Sequence, residues 1–219
     1  QAMPPAGVFA QVSAGWHHTC GLKSDGSLAC WGDNTDGQSN PPAGIFTQVS
    51  AGYDYACGLK IDGTLACWGL SDSGEATPPA GTFLQVSAAY DHTCGLKSDG
   101  SLACWGDPYE GQTNPPAGVF NQVSSGGSHT CGVKSDGSLT CWGWNIYGQA
   151  PVIPPGPYIQ ISAGRYHSCA VRSNGTVACW GDNSHGEAST PTGAFKQVSA
   201  GEGYTCGIKS DNTLKCWGS

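Results

Sequence analysis

The sequence predicts an all-β repeat fold, on three observations. The motif Cys-x9-Cys-Trp-Gly occurs six times, and its first cysteines, Cys20, Cys57, Cys94, Cys131, Cys169 and Cys206, lie 37, 37, 37, 38 and 37 residues apart. Each has a partner ten residues on, Cys30, Cys67, Cys104, Cys141, Cys179 and Cys216, which accounts for all 12 cysteines. A fixed period of this length marks one supersecondary unit that buries its faces against copies of itself. Six units, approximately 1–37, 38–74, 75–111, 112–149, 150–186 and 187–219, nearly exhaust the 219 residues, so the chain reads as a single domain over 1–219. Its 34 glycines and 14 prolines would suggest disorder without a period; the period and eight tryptophans indicate a packed β protein.

Within the first unit, Phe9–Ser13 reads as a strand running into a loop at Ala14-Gly15. Thr19–Lys23 and Ser27–Gly32 read as two further strands, joined by the turn Ser24-Asp25-Gly26. That turn fits a three-residue hairpin closed by a left-handed glycine. The glycine recurs as Gly63, Gly100, Gly137 and Gly175 and becomes Asn212 in the last unit; asparagine is the side chain that best tolerates a positive φ. The turn sets the register: Lys23 faces Ser27, Leu22 faces Leu28, Gly21 faces Ala29 and Cys20 faces Cys30. Directly opposed β carbons lie about 5 Å apart or closer, within reach of a bridge. Six hairpin disulfides follow as an expectation, and with them an oxidising, extracytoplasmic setting. A zinc site built from sets such as His18, Cys20 and Cys30 is disfavoured, because Tyr55 and Tyr204 replace the histidine while both cysteines stay. The sequon Asn174-Gly175-Thr176 falls in a hairpin turn and is read as coincidental.

Charge is sparse. Lys23, Lys60, Lys97, Lys134, Arg172 and Lys209 occupy one repeated position, and Asp25, Asp62, Asp99, Asp136 and Asp211 another. Outside these, three basic residues face 11 acidic ones. Nucleic-acid binders need clustered Lys and Arg, which this chain lacks. No apolar run approaches the roughly 18 residues of a membrane helix.

Short antiparallel sheets repeated radially make a β-propeller, so the expected architecture is a six-bladed β-propeller with one intra-blade hairpin disulfide per repeat. The chain begins ahead of a first strand and ends just after Trp217-Gly218. The strand near Phe9 is therefore a candidate to complete the last blade beside Leu214–Trp217, with further repeats in a longer parent protein as the alternative. The repeated stretch Ser-Ala-Gly-x-x-His-Thr-Cys-Gly-Leu-Lys-Ser-Asp-Gly-Ser-Leu-Ala-Cys-Trp-Gly, followed by Asp-Asn-x-x-Gly-Gln as at Asp33–Gln38, resembles the regulator of chromosome condensation repeat family. In style it is most similar to the secreted bacterial propellers of that family that inhibit β-lactamases. The resemblance implies the propeller fold. Familiar members have seven blades where this chain has six repeats, and the cysteine pair is an addition to the basic repeat. The nuclear members' role as exchange factors on a small GTPase does not fit an acidic, disulfide-bonded chain, and fold alone carries no function.

If the first strand of each unit runs upward, two loops per unit lie at the top, while the hairpin turn and the Pro-Pro linker lie at the bottom. The bottom elements are nearly invariant and the top ones vary freely. The variable positions supply a candidate partner-binding set: Trp16, His17, Tyr53, Asp54, Tyr90, Asp91, Tyr109, Glu110, Trp144, Tyr147, Arg165, Tyr166 and Glu202. Aromatics beside acids on loops of a rigid scaffold are what a recognition surface looks like. The repeated tryptophans Trp31, Trp68, Trp105, Trp142, Trp180 and Trp217 are read as inter-blade packing. Gln11 and its counterparts are read as backbone partners, and His18, His92, His129 and His167 as structural supports. No Gly-x-Ser-x-Gly elbow, phosphate-cradling loop or His-Glu-x-x-His occurs, so no catalytic residue, metal or cofactor is assigned. The reading is a secreted or extracellular, monomeric, non-enzymatic module that binds a protein, of inhibitor or adhesin type; periplasm or cell surface are further settings. A carbohydrate-binding propeller is the alternative, disfavoured because equivalent sugar sites would repeat their ligand residues in every blade.

Overall fold

The computed structural model describes residues 3–153 and 155–219. The chain forms two compact units, Gln1–Pro108 and Tyr109–Ser219. The first holds three blades: β1 (Phe9–Ala14), β2 (His18–Lys23) and β3 (Leu28–Gly32); β4 (Phe46–Ala51), β5 (Tyr55–Lys60) and β6 (Leu65–Gly69); β7 (Phe83–Ala88), β8 (His92–Lys97) and β9 (Leu102–Gly106). The second holds β10 (Phe120–Ser125), β11 (His129–Lys134) and β12 (Leu139–Gly143); β13 (Tyr158–Ala163), β14 (His167–Arg172) and β15 (Val177–Gly181); β16 (Phe195–Ala200), β17 (Tyr204–Lys209) and β18 (Leu214–Gly218). Every blade is one antiparallel sheet of three consecutive strands. The first strand thus pairs with β2 in its own blade, and the last blade is completed by its own three strands. This corrects the expectation that Phe9 completes the last blade.

The hairpin register is the expected one, Cys20 opposite Cys30 and Leu22 opposite Leu28. Lys23 N–H donates to the Ser27 carbonyl at 2.8 Å, and Gly26 N–H returns to the Lys23 carbonyl at 3.0 Å. Hydrogen-bonded and non-hydrogen-bonded pairs alternate from that closing pair, so the cysteines, three steps on, fall at a non-hydrogen-bonded position where strands approach most closely. Their Cα atoms are 4.1 Å apart, and all six bridges form in the same way. Among the described residues Asn212, at φ 68°, is the one non-glycine with positive φ, as its place in the turn series requires.

A β-bulge in every first strand is not legible from alternation. Phe46 pairs with Lys60 but Gln48 with Leu59, so Thr47 is the extra residue. The bulge puts Phe46, Val49 and Ala51 on one face and Gln48 and Ser50 on the other. Each face then has its own task. Phe46, Val49, Ala51 and Ala56, with Trp68 and Ala66, pack against Cys20, Leu22, Leu28 and Cys30 of the preceding blade. The same seam recurs around Tyr55, Cys57 and Leu59 against Phe83 and Val86, and around Cys131 and Val133 against Tyr158 and Ile161. It recurs again around Cys169 and Val171 against Phe195 and Val198. Fully burying each such valine or phenylalanine contributes about 1.5–3 kcal/mol. The cystine is therefore a wall of the core as well as a staple. Gly58 stays glycine because a β carbon there would lie 2.6 Å from the Phe46 ring.

The opposite face clasps the next blade through backbone. Gln48 Nε2 donates to the Val86 carbonyl at 3.0 Å while Val86 N–H donates to Gln48 Oε1 at 2.9 Å. Gln11 does the same with Val49, and Gln160 with Val198. Ser50 Oγ accepts from Ala88 N–H, as Ser13 does from Ala51. The repeated tryptophans close the seam, Trp68 Nε1 donating to the Gln38 carbonyl at 2.9 Å and Trp105 to the Glu75 carbonyl at 2.8 Å. The expectations of packing tryptophans and backbone-bonding glutamines are met at Trp68, Trp105, Trp142, Trp180 and Trp217 and at Gln11, Gln48, Gln122 and Gln160, whereas Gln197 is exposed.

The buried histidines are structural. His129 Nε2 lies 2.8 Å from Ser168 Oγ, and His167 Nε2 lies 2.7 Å from Thr205 Oγ1, each hydroxyl belonging to the following blade. His18 is equally buried, but the corresponding residue is Ala56, and neither ring nitrogen has a hydrogen-bond partner among the described residues. Burial holds His18 below its ordinary pKa, against the opposing pull of the Asp33 carboxylate. Ala56→Thr should supply the missing hydroxyl, which Thr93 and Thr205 also use to donate to the Glu75 and Glu187 carbonyls. Its expected gain is about 1 kcal/mol in unfolding free energy, read by denaturant titration; a loss of stability would refute the role given to His18.

Candidate functional site

Both variable loops of a blade emerge at the same end. The first loop is a tight reversal, Gly15 N–H donating to the His18 carbonyl at 2.9 Å, so residues 16 and 17 form its tip. The second loop is tied to it, Asp33 N–H donating to the His17 carbonyl, Leu70 to Asp54, Asp107 to Asp91, Trp144 to Ser128 and Asp182 to Tyr166, all at 2.8–2.9 Å. Neighbouring tips are stitched as well: Trp16 N–H reaches the Tyr53 carbonyl at 3.3 Å, Tyr53 N–H the Ala89 carbonyl at 3.0 Å, and Arg165 N–H the Gly201 carbonyl at 3.0 Å. The hairpin turns lie at the other end, where Phe46 N–H donates to the Gly26 carbonyl at 2.8 Å.

A buried Gln or Glu supports every second loop, a role the sequence reading did not assign. Gln38, Glu75, Gln112, Gln149 and Glu187 are all buried. Each side-chain oxygen accepts the N–H two residues earlier, from Asp36, Ser73, Glu110, Tyr147 and His185, at 2.8–2.9 Å. Their carbonyls hold the next blade's tryptophan. The Gly-Gln or Gly-Glu pair after each loop was the available signal, but a polar residue reads as surface until the covering tryptophan is known.

In the first unit, the tips bring three predicted aromatics into one row. Trp16 stacks on Tyr53 with ring centroids 5.2 Å apart, and Tyr53 meets Tyr90 at 4.1 Å. His17 lies edge-on to Trp16 at 5.7 Å. Trp16 and Tyr90 remain 38% and 40% exposed, so the row is open to a ligand. Asp91 is engaged with buried His92 at 3.1 Å. Asp54 keeps one buried carboxylate oxygen without a hydrogen-bond partner among the described residues. Burial, then repulsion from Asp36 and Asp33 against the pull of His17, holds its carboxyl above the usual carboxylate range.

In the second unit Trp144, Tyr147 and Tyr166 form an edge-to-face triad with centroids 5.4–5.7 Å apart. The Arg165 guanidinium lies 4.9 Å from the Tyr166 ring centre and pairs with Glu202 of the next blade. Gly127 occupies the tip of the preceding blade because a β carbon there would lie 2.4 Å from the Arg165 carbonyl. Tyr109, 85% exposed, stands with Glu110 on the loop that Gln112 braces. Ile146, 74% exposed, adds an apolar side chain that the predicted set omits.

Three-stranded blades of about 37 residues, each with its own hairpin cystine, define a β-propeller repeat protein. The chain belongs to the regulator of chromosome condensation (RCC1) repeat family, whose model matches residues 9–38, 46–75, 83–112, 120–149, 158–187 and 195–219. It is similar to the ectodomain of the receptor kinase CR4 of Physcomitrella patens, with 26% identity and a TM-score of 0.85 over 99% of this chain and 63% of that one. It is also similar to the CRINKLY WD40 ectodomain of the Arabidopsis thaliana receptor kinase ACR4, with 28% identity, a TM-score of 0.79 and coverage of 96% and 79%. Prp20p of Saccharomyces cerevisiae, at 17% identity, a TM-score of 0.84 and coverage of 95% and 71%, shares the fold. No curated protein matches the chain.

The raised Asp54 pKa has a defined sign. The folded state binds that proton more tightly than the unfolded chain, so stability is lost as pH rises from the ordinary carboxyl value of 3.8 through the folded value. Asp54→Asn should raise the melting temperature at pH 7, and the gain should vanish below pH 3.8. A lower melting temperature at pH 7 would show that the carboxylate is stabilising instead.

Proposed function

We propose that the chain is a secreted, non-enzymatic module that captures a protein partner on the loop end of its blades. The observation that carries this reading is the contrast between the two ends. At the hairpin end the same turn is repeated; at the loop end a braced backbone presents two dissimilar aromatic clusters. Rigid Trp and Tyr side chains give large contact area at low entropic cost, and centrally placed aromatics and Arg dominate protein-interface energetics. The likeness to two receptor-kinase ectodomains supports an extracellular binding role. Six disulfides, with no free cysteine among the described residues, support an oxidising compartment. The site offers no grouping that calls for chemistry, so we assign it no catalytic step.

The test uses the chain as bait against proteins of its native environment, with captured proteins identified by mass. The triple variant Trp16→Ala/Tyr53→Ala/Tyr90→Ala should lose the captured partner while its melting temperature stays within a few degrees, since these rings lie outside the inter-blade seams. Undiminished capture by that variant refutes the assignment of this face. Strong multivalent binding on a glycan array, with no protein captured, would favour the carbohydrate-binding reading instead.

A further inference from the structure

The net charge of −7 is unevenly distributed. Residues 1–108 carry ten acids against three lysines, whereas residues 109–219 carry six acids against six basic residues. In the first unit Lys23, Lys60 and Lys97 all lie at the hairpin end, each ending the strand that leads into a turn bearing Asp25, Asp62 or Asp99. The loop end of that unit therefore holds Asp33, Asp36, Asp54, Asp72, Asp91 and Asp107, with no lysine or arginine. Beside these acids runs the row Trp16, Tyr53, Tyr90, whose outer members are more than a third exposed.

The second unit shows how this fold satisfies the same chemistry internally. The tip position that holds Trp16, Tyr53 and Tyr90 in the first unit holds Arg165 and then Glu202 in the last two blades. There a guanidinium rests on a tyrosine ring and pairs with a carboxylate from the neighbouring blade. In the first unit aromatics and carboxylates occupy the tips without an arginine. Asp54, with one oxygen that has no hydrogen-bond partner among the described residues and with mutual repulsion from Asp36 and Asp33, is destabilised in a way an incoming cation would relieve.

We propose that the loop end of residues 1–108 receives an arginine- or lysine-bearing segment of the protein partner, its cationic side chain lying against the Trp16–Tyr53–Tyr90 row and paired with Asp36 and Asp54. A cation over an aromatic face gains most when a carboxylate completes the site and water is displaced. Arginine is the better occupant, because its planar group both stacks and bonds bidentately. This deepens the binding-face reading and rests on it.

The probe is a peptide of alternating glycine and arginine, compared with its citrulline counterpart, which keeps the shape and loses the charge. Titration into the intact chain is followed by tryptophan fluorescence and calorimetry. The arginine peptide should bind at least about tenfold tighter than the citrulline peptide and weaken on raising salt to about 0.3 M. Trp16→Ala and Asp54→Asn should each weaken it at least about fivefold, the latter while raising the melting temperature. Asp25→Asn/Asp62→Asn/Asp99→Asn, at the hairpin end, should leave it unchanged. Equal binding of both peptides, binding by neither, or equal loss in the hairpin-end variant, which marks diffuse attraction, would overturn the proposal. If the peptide fails while Trp16→Ala/Tyr53→Ala/Tyr90→Ala still abolishes partner capture, the cationic contact falls and the binding face stands. If the peptide binds as expected but that variant keeps its partner, the binding-face assignment falls instead.

Discussion

The seam between consecutive blades is the constraint on which the rest of each unit depends. A three-stranded sheet of this size has too little apolar surface to stand alone, so its stability must come from its neighbours. The seam joins two kinds of contact in one register. Phe46, Val49 and Trp68 meet the cystine and leucines of the preceding blade, while Gln11 and Ser13 of that blade meet backbone groups of β4. The bulge at Thr47 lets a strand of six residues serve both, by turning its phenylalanine and its glutamine to opposite sides.

From this seam follows the rigidity of the loop end. The tryptophan that closes the seam hangs from the carbonyl of a buried Gln or Glu, and the side chain of that same residue braces the loop above. Packing below and presentation above thus share one residue per blade. A tip held in this way loses little conformational freedom on binding, which is the condition under which exposed rings yield net affinity. Where the pattern is broken by Ala56, the buried His18 ring has no hydrogen-bond partner among the described residues, and the exception shows what the repeated hydroxyl does elsewhere.

Much of the fold is legible in the chain because the turn Ser24-Asp25-Gly26 sets the hairpin register and the period repeats it. Asn212 in place of glycine, and glutamines bonded to a neighbouring strand, are consequences that local chemistry predicts. The bulge escapes such reading, since alternation alone would put Phe46 and Gln48 on one face. So do Gln38 and Glu75, polar residues whose burial depends on a tryptophan 30 positions away. The candidate site is legible as a set of variable positions but not as an arrangement. Nothing in the spacing of Trp16, Tyr53 and Tyr90 states that their rings meet, or that Asp91 is engaged with His92 while Asp54 is not.

Segregation of charge along the strands of the first unit acts beyond contact distance. Its hairpin end balances three lysines against three aspartates, and the excess of negative charge sits at the other end. The unit therefore has an electric moment parallel to its strands, and the field at moderate ionic strength extends about 10 Å before it is screened. A positively charged body diffusing nearby is turned and drawn in loop end first, so encounter rate as well as affinity is written into where the lysines are not.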